Sequence, residues 1–324
     1  MGFELMSFEL VSFEILTFEL VSFELMSFEL MSTSHIKAST IYNYIVIMEV
    51  TATEYERMST GAQENARQLV DKIVADKRHY DIILDIGCGT GYMTELLAKT
   101  VKHNRIIGVD ITEHFLSFAE QNHKPMDSVE YLLQDFSKTW DEMSPALKAL
   151  ESKVSLIVSN RALHFFEDRP RLMHVISRLL AKNGTLVATY PLTPDLMSRI
   201  TDEEKRAFGL QTFATPSPDA QIDAMVRACE STGFKVLDKQ QYLYEWHVNA
   251  KIFVDRKKFP PIFGPLLSTD SEAKQALIQN LFFDVALNPN AQRLNVNAIA
   301  ELGSPPTLQT IFHIPLVNFK CIKQ

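Results

Sequence analysis

Apolar positions along the chain recur in two distinct periods. Ala62, Ala66, Leu69, Val70, Ile73 and Val74 return every three or four residues, which predicts a helix from Glu54 to Lys77. Ile82 to Ile86 is instead an unbroken apolar run bounded by turn formers, the pattern of a short buried strand. The same alternation continues downstream. It predicts a helix over Glu95–Lys102, a strand over Ile106–Asp110, a strand over Val154–Asn160 and a helix over Pro170–Leu180. A turn at Gly184 then leads to a strand over Thr185–Tyr190. A helix over Ser217–Thr232 stops at Gly233, and strands over Phe234–Trp246 and Gln309–Lys320 close the chain. Apolar strands interleaved with amphipathic helices predict an α/β fold on a parallel sheet. Asn249 to Pro306 interrupts the last two strands as an insertion, with a helix predicted over Ser271–Ala286.

The front of the chain obeys neither period. Residues 3–32 read FELMS-FELVS-FEILT-FELVS-FELMS-FELMS, six copies of a five-residue unit. On a helix each copy turns about 140° from the last, so the phenylalanines spiral and build no stripe. On a strand an odd period sends them to alternate faces. A secretory leader is excluded too, because the segment has an acid in every copy and no cationic start. Residues 1–47 are therefore expected to be a disordered low-complexity extension, with Met48 a sensible start for the folded domain, 48–324.

Composition changes this picture in three places. The 324 residues carry a net charge of −8, and the six glutamates of residues 1–34 leave only −2 for the rest. With no basic stripe, a nucleic-acid partner is not expected. No apolar run approaches the roughly 18–20 residues that span a bilayer. The cysteines, Cys88, Cys229 and Cys321, are scattered without a C-x-x-C pair, which fits a reducing, cytoplasmic location and supplies no zinc site.

The candidate chemistry begins at ILDIGCGTGY, Ile83 to Tyr92. Three glycines stand at alternate positions where a strand hands over to a helix, so that free N–H groups of the helix start point outward. Asp110 ends the next strand, 19 residues after Gly91, where a carboxylate can accept from both hydroxyls of a ribose. The glycine spacing is not the G-x-G-x-x-G of a dinucleotide fold. Asp85, two residues before Gly87, suits an ammonium group better than a phosphate.

The series "hhDhGCGTG … hhGVDhT … hLLQDF", over about Asp81 to Tyr190, resembles the motifs of class I S-adenosylmethionine-dependent methyltransferases. The resemblance implies a Rossmann-like, seven-stranded, mostly parallel sheet with helices on both faces and a helical substrate cover. It also implies S-adenosyl-L-methionine as cofactor. Gly87, Cys88, Gly89 and Gly91 would let the backbone approach the amino-acid part of the cofactor, and Asp85 would orient its ammonium group. Asp110, with Ile111, would hold the ribose. Asp135 would bond the adenine amino group, with Phe136 near the ring, although Asp135 alone could equally be a turn cap. Asn160 completes the set at the end of the fourth strand.

Arg161 to Asp168 leaves that strand at its carboxyl end, where ligands of open α/β sheets lie. LHFFED resembles the Leu-His-Trp segment of small-molecule methyltransferases, juvenile hormone acid O-methyltransferases and trans-aconitate methyltransferases among them. The first of these is the closer, on the opening helix with Gln63, the RPRLMHVISRLLAKNGTLVATYP run and the apolar tail. Phe165 replaces the Trp, which removes an indole N–H donor, and Gln63 lies about one residue from the family's spacing. His164 could donate to a substrate carboxylate or take a proton from a hydroxyl, or simply pack with its nitrogens bonded to backbone. Aromatic residues of the back half, with the insertion 249–306 as cover, would line a pocket for a small apolar carboxylic acid. A carboxylate needs no general base and methyl transfer no metal, so positioning in line would supply most of the rate. The competing readings are methylation of another small metabolite, an aconitate-like acid or a carbon or nitrogen centre, and a non-catalytic cofactor-binding protein of the same fold.

Overall fold

A computed structural model describes residues 51–123, 126–166, 168–193, 200–207, 216–248 and 310–324. The pentapeptide extension, Met48 and the insertion 249–306 lie outside the described residues.

Two helices open this part of the chain, α1 (Ala52–Met58) and α2 (Thr60–Ala75). One continuous helix was expected over both. Thr51 starts α1 with a reciprocal capping box to Glu54, and Ser59 (ψ +23°) separates the helices while its N–H still bonds to the Tyr55 carbonyl. No proline marks that kink; Ser59 and, two residues on, Gly61 of the first turn of α2 stand at it. An alternating series follows: β1 (His79–Ile86), α3 (Tyr92–Thr100), β2 (Lys102–Asp110), α4 (Glu113–Asn122), β3 (Val129–Leu133), the short α5 (Pro145–Lys148) and β4 (Val154–Asn160). The rest is α6 (Arg169–Leu179), β5 (Leu180–Pro191), the short α7 (Asp202–Ala207), α8 (Pro218–Ser231), β6 (Phe234–Val248) and β7 (Thr310–Lys323).

The seven strands form one sheet in the order β3-β2-β1-β4-β5-β7-β6, parallel throughout except for β7, which runs antiparallel to both neighbours. The chain builds outward from β1 to β3 and then returns to lay β4 on β1's other side. The carboxyl ends of β1 and β4 therefore flank the topological switch point, where such sheets bind their ligands.

One apolar cluster joins Leu84, Ile157, Leu186 and Phe319 of the sheet to α6 and α8; a second packs Leu69, Val70 and Ile73 of α2 and Leu97 of α3 against Ile83, Ile106 and Leu156. The sheet is thus covered on both faces, which is why β1, β4 and β5 read as apolar runs rather than alternations. Gly184, expected in a turn, falls inside β5: Asn183 takes the left-handed conformation (φ +62°), and a Cβ on Gly184 would come within 2.9 Å of the Ala181 carbonyl.

Beyond the last β5–β7 pair, Pro191 with Leu316, β6 and β7 continue together from Leu243–Pro315 to Val248–Thr310. This two-stranded arm reaches past the carboxyl end of β5 and carries Tyr244 over the switch point.

Candidate functional site

The glycine turn sits directly after β1, and its conformation explains its composition. Gly87, Gly89 and Gly91 all have positive φ (+71°, +54° and +86°). Their surroundings nevertheless differ. A Cβ on Gly87 would stand 2.3 Å from the Ala162 Cβ, and one on Gly91 would meet the Tyr131 hydroxyl at 2.7 Å and the Ala119 Cβ at 2.8 Å. At Gly89 the nearest atom would be Tyr55 Cε1 at 3.6 Å. Packing alone thus requires glycine at 87 and 91, whereas the face of Gly89 is open.

Several N–H groups of the turn are already committed. Those of Gly87 and Cys88 donate to the Val109 carbonyl (2.8 and 3.1 Å), that of Gly91 to the Cys88 carbonyl (3.0 Å), and that of Gly89 to Asp110 Oδ2 (2.8 Å). Thr90 is fastened from two sides: its hydroxyl donates to Glu56 on α1, and its carbonyl lies 2.7 Å from His123 Nε2 at the end of α4. The loop is a rigid cradle rather than a row of free donors waiting for phosphate oxygens.

Acids surround it. Asp110 Oδ1 accepts from the Thr112 N–H (2.9 Å), and burial holds its pKa above the usual carboxylate range against those hydrogen bonds. A carboxylate offers about four acceptor positions, so Asp110 keeps capacity for hydroxyl donors. Asp85 is fully buried; its Oδ2 accepts from Thr94 Oγ1 on α3 (2.7 Å), and its Oδ1 has no partner. Burial, opposed by Thr94 and reinforced by Asp110, pushes its pKa up to about 7.

Other expected residues are placed differently. Cys88 is buried, its sulfur 3.1 Å from where a Cβ on Gly108 would lie, so it packs beneath the loop; burial pushes the thiol well above its ordinary pKa. Ile111 is half-buried just past β2. Asp135 takes the turn-cap alternative, its Oδ1 accepting from the Ser137 N–H (2.7 Å). Phe136 gives its ring to the core cluster with Trp140 and Leu172. Gln63, expected to face the substrate, donates its amide nitrogen to the Glu56 carbonyl (2.9 Å) and carboxylate (3.2 Å), tying α2 to α1.

At the tip of β4, Asn160 donates to the Ala62 carbonyl (2.9 Å) and leaves Oδ1 buried without a partner. His164 and Phe165 lie in a single 3-10 turn, ring centroids 4.0 Å apart. Both His164 nitrogens are buried and unpartnered, which excludes the expected backbone bonds. Burial first, then Arg161 and Arg169, drives its pKa down to about 3, so the ring is neutral at pH 7.

Three residues join the site that sequence reasoning left out. Tyr55 of α1 packs on Phe115 (centroids 4.8 Å) above Gly89, and burial, then Asp110, raises its pKa to about 12. Arg161, in the left-handed conformation (φ +56°), donates from Nε to Asn65 Oδ1 (2.7 Å) and stacks 5.3 Å from the Tyr244 ring. Asn65 itself is buried on α2. Arg161 had one sequence signal, its place just after a strand tip; Tyr55 and Asn65, on helices distant from the glycine turn in sequence, had none.

Comparison with known proteins decides the family. A family described as a methyltransferase domain matches residues 77–250, more than half of the chain. The chain belongs to this methyltransferase family. A malonyl-[acyl-carrier protein] O-methyltransferase of Paenibacillus sp. is 31% identical over 40% of this chain and 46% of its own length. The mitochondrial arginine-hydroxylase NDUFAF5 of Mus musculus is 30% identical over 39% of this chain and 33% of its own. The chain thus spans less than half the length of the curated relatives named here. A solved structure from Bacillus halodurans C-125, described as a candidate methyltransferase, shares the fold at 16% identity, with a TM-score of 0.50 over 80% of this chain and 99% of the other.

S-adenosylmethionine is the cofactor of this class I methyltransferase fold, and the residues present fit it. Asp85 Oδ1 is a buried acceptor without a donor, the open face of Gly89 is clearance without a packing reason, and the charges flanking the turn suit a cation. Among the described residues, no group of three or more His, Cys, Asp or Glu gathers as a metal would require, and no helix is long and apolar enough to cross a membrane.

Proposed function

We propose that this protein transfers a methyl group from S-adenosylmethionine to a carboxylate oxygen of a small, largely apolar acid. The observation that carries the reading is the rigid Gly87–Gly91 turn, the N–H groups of Gly87, Cys88, Gly89 and Gly91 committed and its neighbours acidic, which favours a cationic nucleoside over a phosphate-bearing one.

When bound, the cofactor supplies an electrophilic methyl on a sulfonium. Gly89 would leave room for it, Asp110 would accept from its ribose hydroxyls, and Asp85 would offer its unpartnered oxygen to the positive charge. Tyr55 and Phe115 close the apolar side of the cleft, limiting water around the reacting atoms.

The state of His164 supports an acid as acceptor. A general base works best with a pKa near the working pH, and His164 titrates near 3. It can donate one hydrogen bond as a neutral imidazole but withdraws protons poorly. A carboxylate is ionised already and asks for no base, so orientation of the oxygen is what remains for the site to provide. The malonyl group named for the Paenibacillus relative carries such a free carboxylate. A terpenoid acid of the juvenile hormone type is one apolar member of this class. The substrate is taken as a small molecule, with the aromatic back half and insertion 249–306 as its cover.

The hydroxylase relative favours one alternative, that the fold serves here without methyl transfer. Incubation with methyl-labelled S-adenosylmethionine and a set of terpenoid, fatty and tricarboxylic acids separates the two. Base-labile label on an acid supports the proposal. Cofactor binding with no label transferred to any acid contradicts it.

A further inference from the structure

The tip of β4 holds a positive charge that no carboxylate among the described residues neutralises. Arg161 Nε is committed to Asn65, yet Arg161 Nη2 is buried with no partner. The groups that favour its charged form are the hydroxyls of Tyr244, Tyr55 and Tyr242, with no carboxylate among them. Removing a guanidinium from water without an anion costs several kcal/mol, so a fold that keeps one has a use for it or a partner elsewhere.

Neighbouring groups show the same deficit. Asn65 Nδ2, Asn160 Oδ1 and both ring nitrogens of His164 are also buried and unpartnered. These orphan atoms belong to α2, the end of β4 and the 3-10 turn that follows it, at the switch point. Asp85 Oδ1 is the orphan on the cofactor side. Donors (Arg161 Nη2, Asn65 Nδ2) and acceptors (Asn160 Oδ1, one nitrogen of the neutral His164) are thus both left open around the end of β4.

We infer that Arg161, oriented by Asn65 and roofed by Tyr244, is the anchor for the carboxylate of the acceptor and sets the enzyme's preference for anionic over neutral substrates. This rests on the proposed function above. The chemistry follows from the geometry: with Nε taken by Asn65, the side-on fork of the guanidinium is closed, and Nη2 can hold one carboxylate oxygen while the other remains available for in-line attack. The tyrosine ring over the guanidinium keeps it planar to the cleft and shields it from water. Arg161 takes the left-handed conformation (φ +56°), and its side chain reaches Asn65 on α2 and the Tyr244 ring on β6.

The test is calorimetry on the full chain as wild type, Arg161→Met and Arg161→Lys. First S-adenosylhomocysteine is titrated alone. Then, with it saturating, octanoate, farnesoate and trans-aconitate are titrated, each beside its neutral amide. A hydrogen bond to a charged group is worth about tenfold or more in affinity. The wild type should therefore prefer at least one acid over its amide by about that factor. Arg161→Met should lose the preference, Arg161→Lys should keep part of it, and all three should bind S-adenosylhomocysteine alike within about threefold. A wild type indifferent to acid and amide, or an Arg161→Met that still discriminates, overturns the inference. Weakened S-adenosylhomocysteine binding in Arg161→Met with acid preference intact overturns it as well, by moving the guanidinium to the cofactor. A wild type that binds no S-adenosylhomocysteine would instead remove the methyltransferase reading beneath it.

Discussion

At the scale of single residues, the three glycines separate into two roles that a motif cannot distinguish. Gly87→Ala adds a methyl against Ala162 at a left-handed position and is expected to cost about 3 kcal/mol, read as a lowered denaturation midpoint. Gly89→Ala meets nothing closer than Tyr55 and should cost only about 1 kcal/mol. Its methyl nevertheless enters the open face, so cofactor affinity should fall tenfold or more, about 1.4 kcal/mol. Titration makes opposite marks at two other residues. His164 has its folded pKa depressed from 6.5 to about 3, so it contributes stability above pH 6.5 that is lost as the pH falls toward 3. The melting temperature of His164→Phe relative to wild type should accordingly rise between pH 7.5 and 4.5. Asp85 has its folded pKa raised from 3.8 to about 7, so its contribution is complete below pH 4 and lost as the pH climbs through 7. Asp85→Asn should flatten that loss between about pH 4 and 7; an unchanged slope would contradict the buried acid.

At the scale of elements, α1 behaves as a clamp. Its Tyr55 covers Gly89, its Glu56 holds Thr90, and Gln63 of α2 locks it in place. Gln63→Ala should leave the fold standing, raise hydrogen exchange across 52–58, and weaken S-adenosylhomocysteine binding severalfold. Exchange confined to other helices would show that the clamp is misplaced. The clamp also shows where sequence reading ends. A strand, a glycine turn and a strand-tip acid announce themselves locally, through apolar runs and positive-φ requirements. Gln63 and Phe136 carried the right residue types at suggestive positions, yet their contacts depend on how α1 and the turn after β3 pack. The polar starts of β1 and β2, His79–Asp81 and Lys102–Arg105, pair with one another at the exposed amino ends, where hydrogen bonding sustains a strand that hydropathy does not mark.

At the scale of the whole molecule, the α/β class and its largely parallel sheet were legible because alternating helices and buried strands leave few architectures. The projecting arm of β6 and β7 was not, since its overhang past β5 is a matter of register between distant segments. Arg161 went unnoticed for the same reason: one arginine after a strand looks solvated until Tyr244 comes down over it from the far edge of the sheet. The molecule therefore places Asp85 and Asp110 on β1 and β2 and a guanidinium with no carboxylate partner among the described residues just after β4, around one switch point. The most direct check of that arrangement is calorimetric titration of S-adenosylhomocysteine into the wild type and into Asp110→Asn. One-to-one binding by the wild type, weakened about tenfold or more in the variant, is the predicted result. No heat of binding from a folded wild type, or equal affinities in the two proteins, would contradict the account.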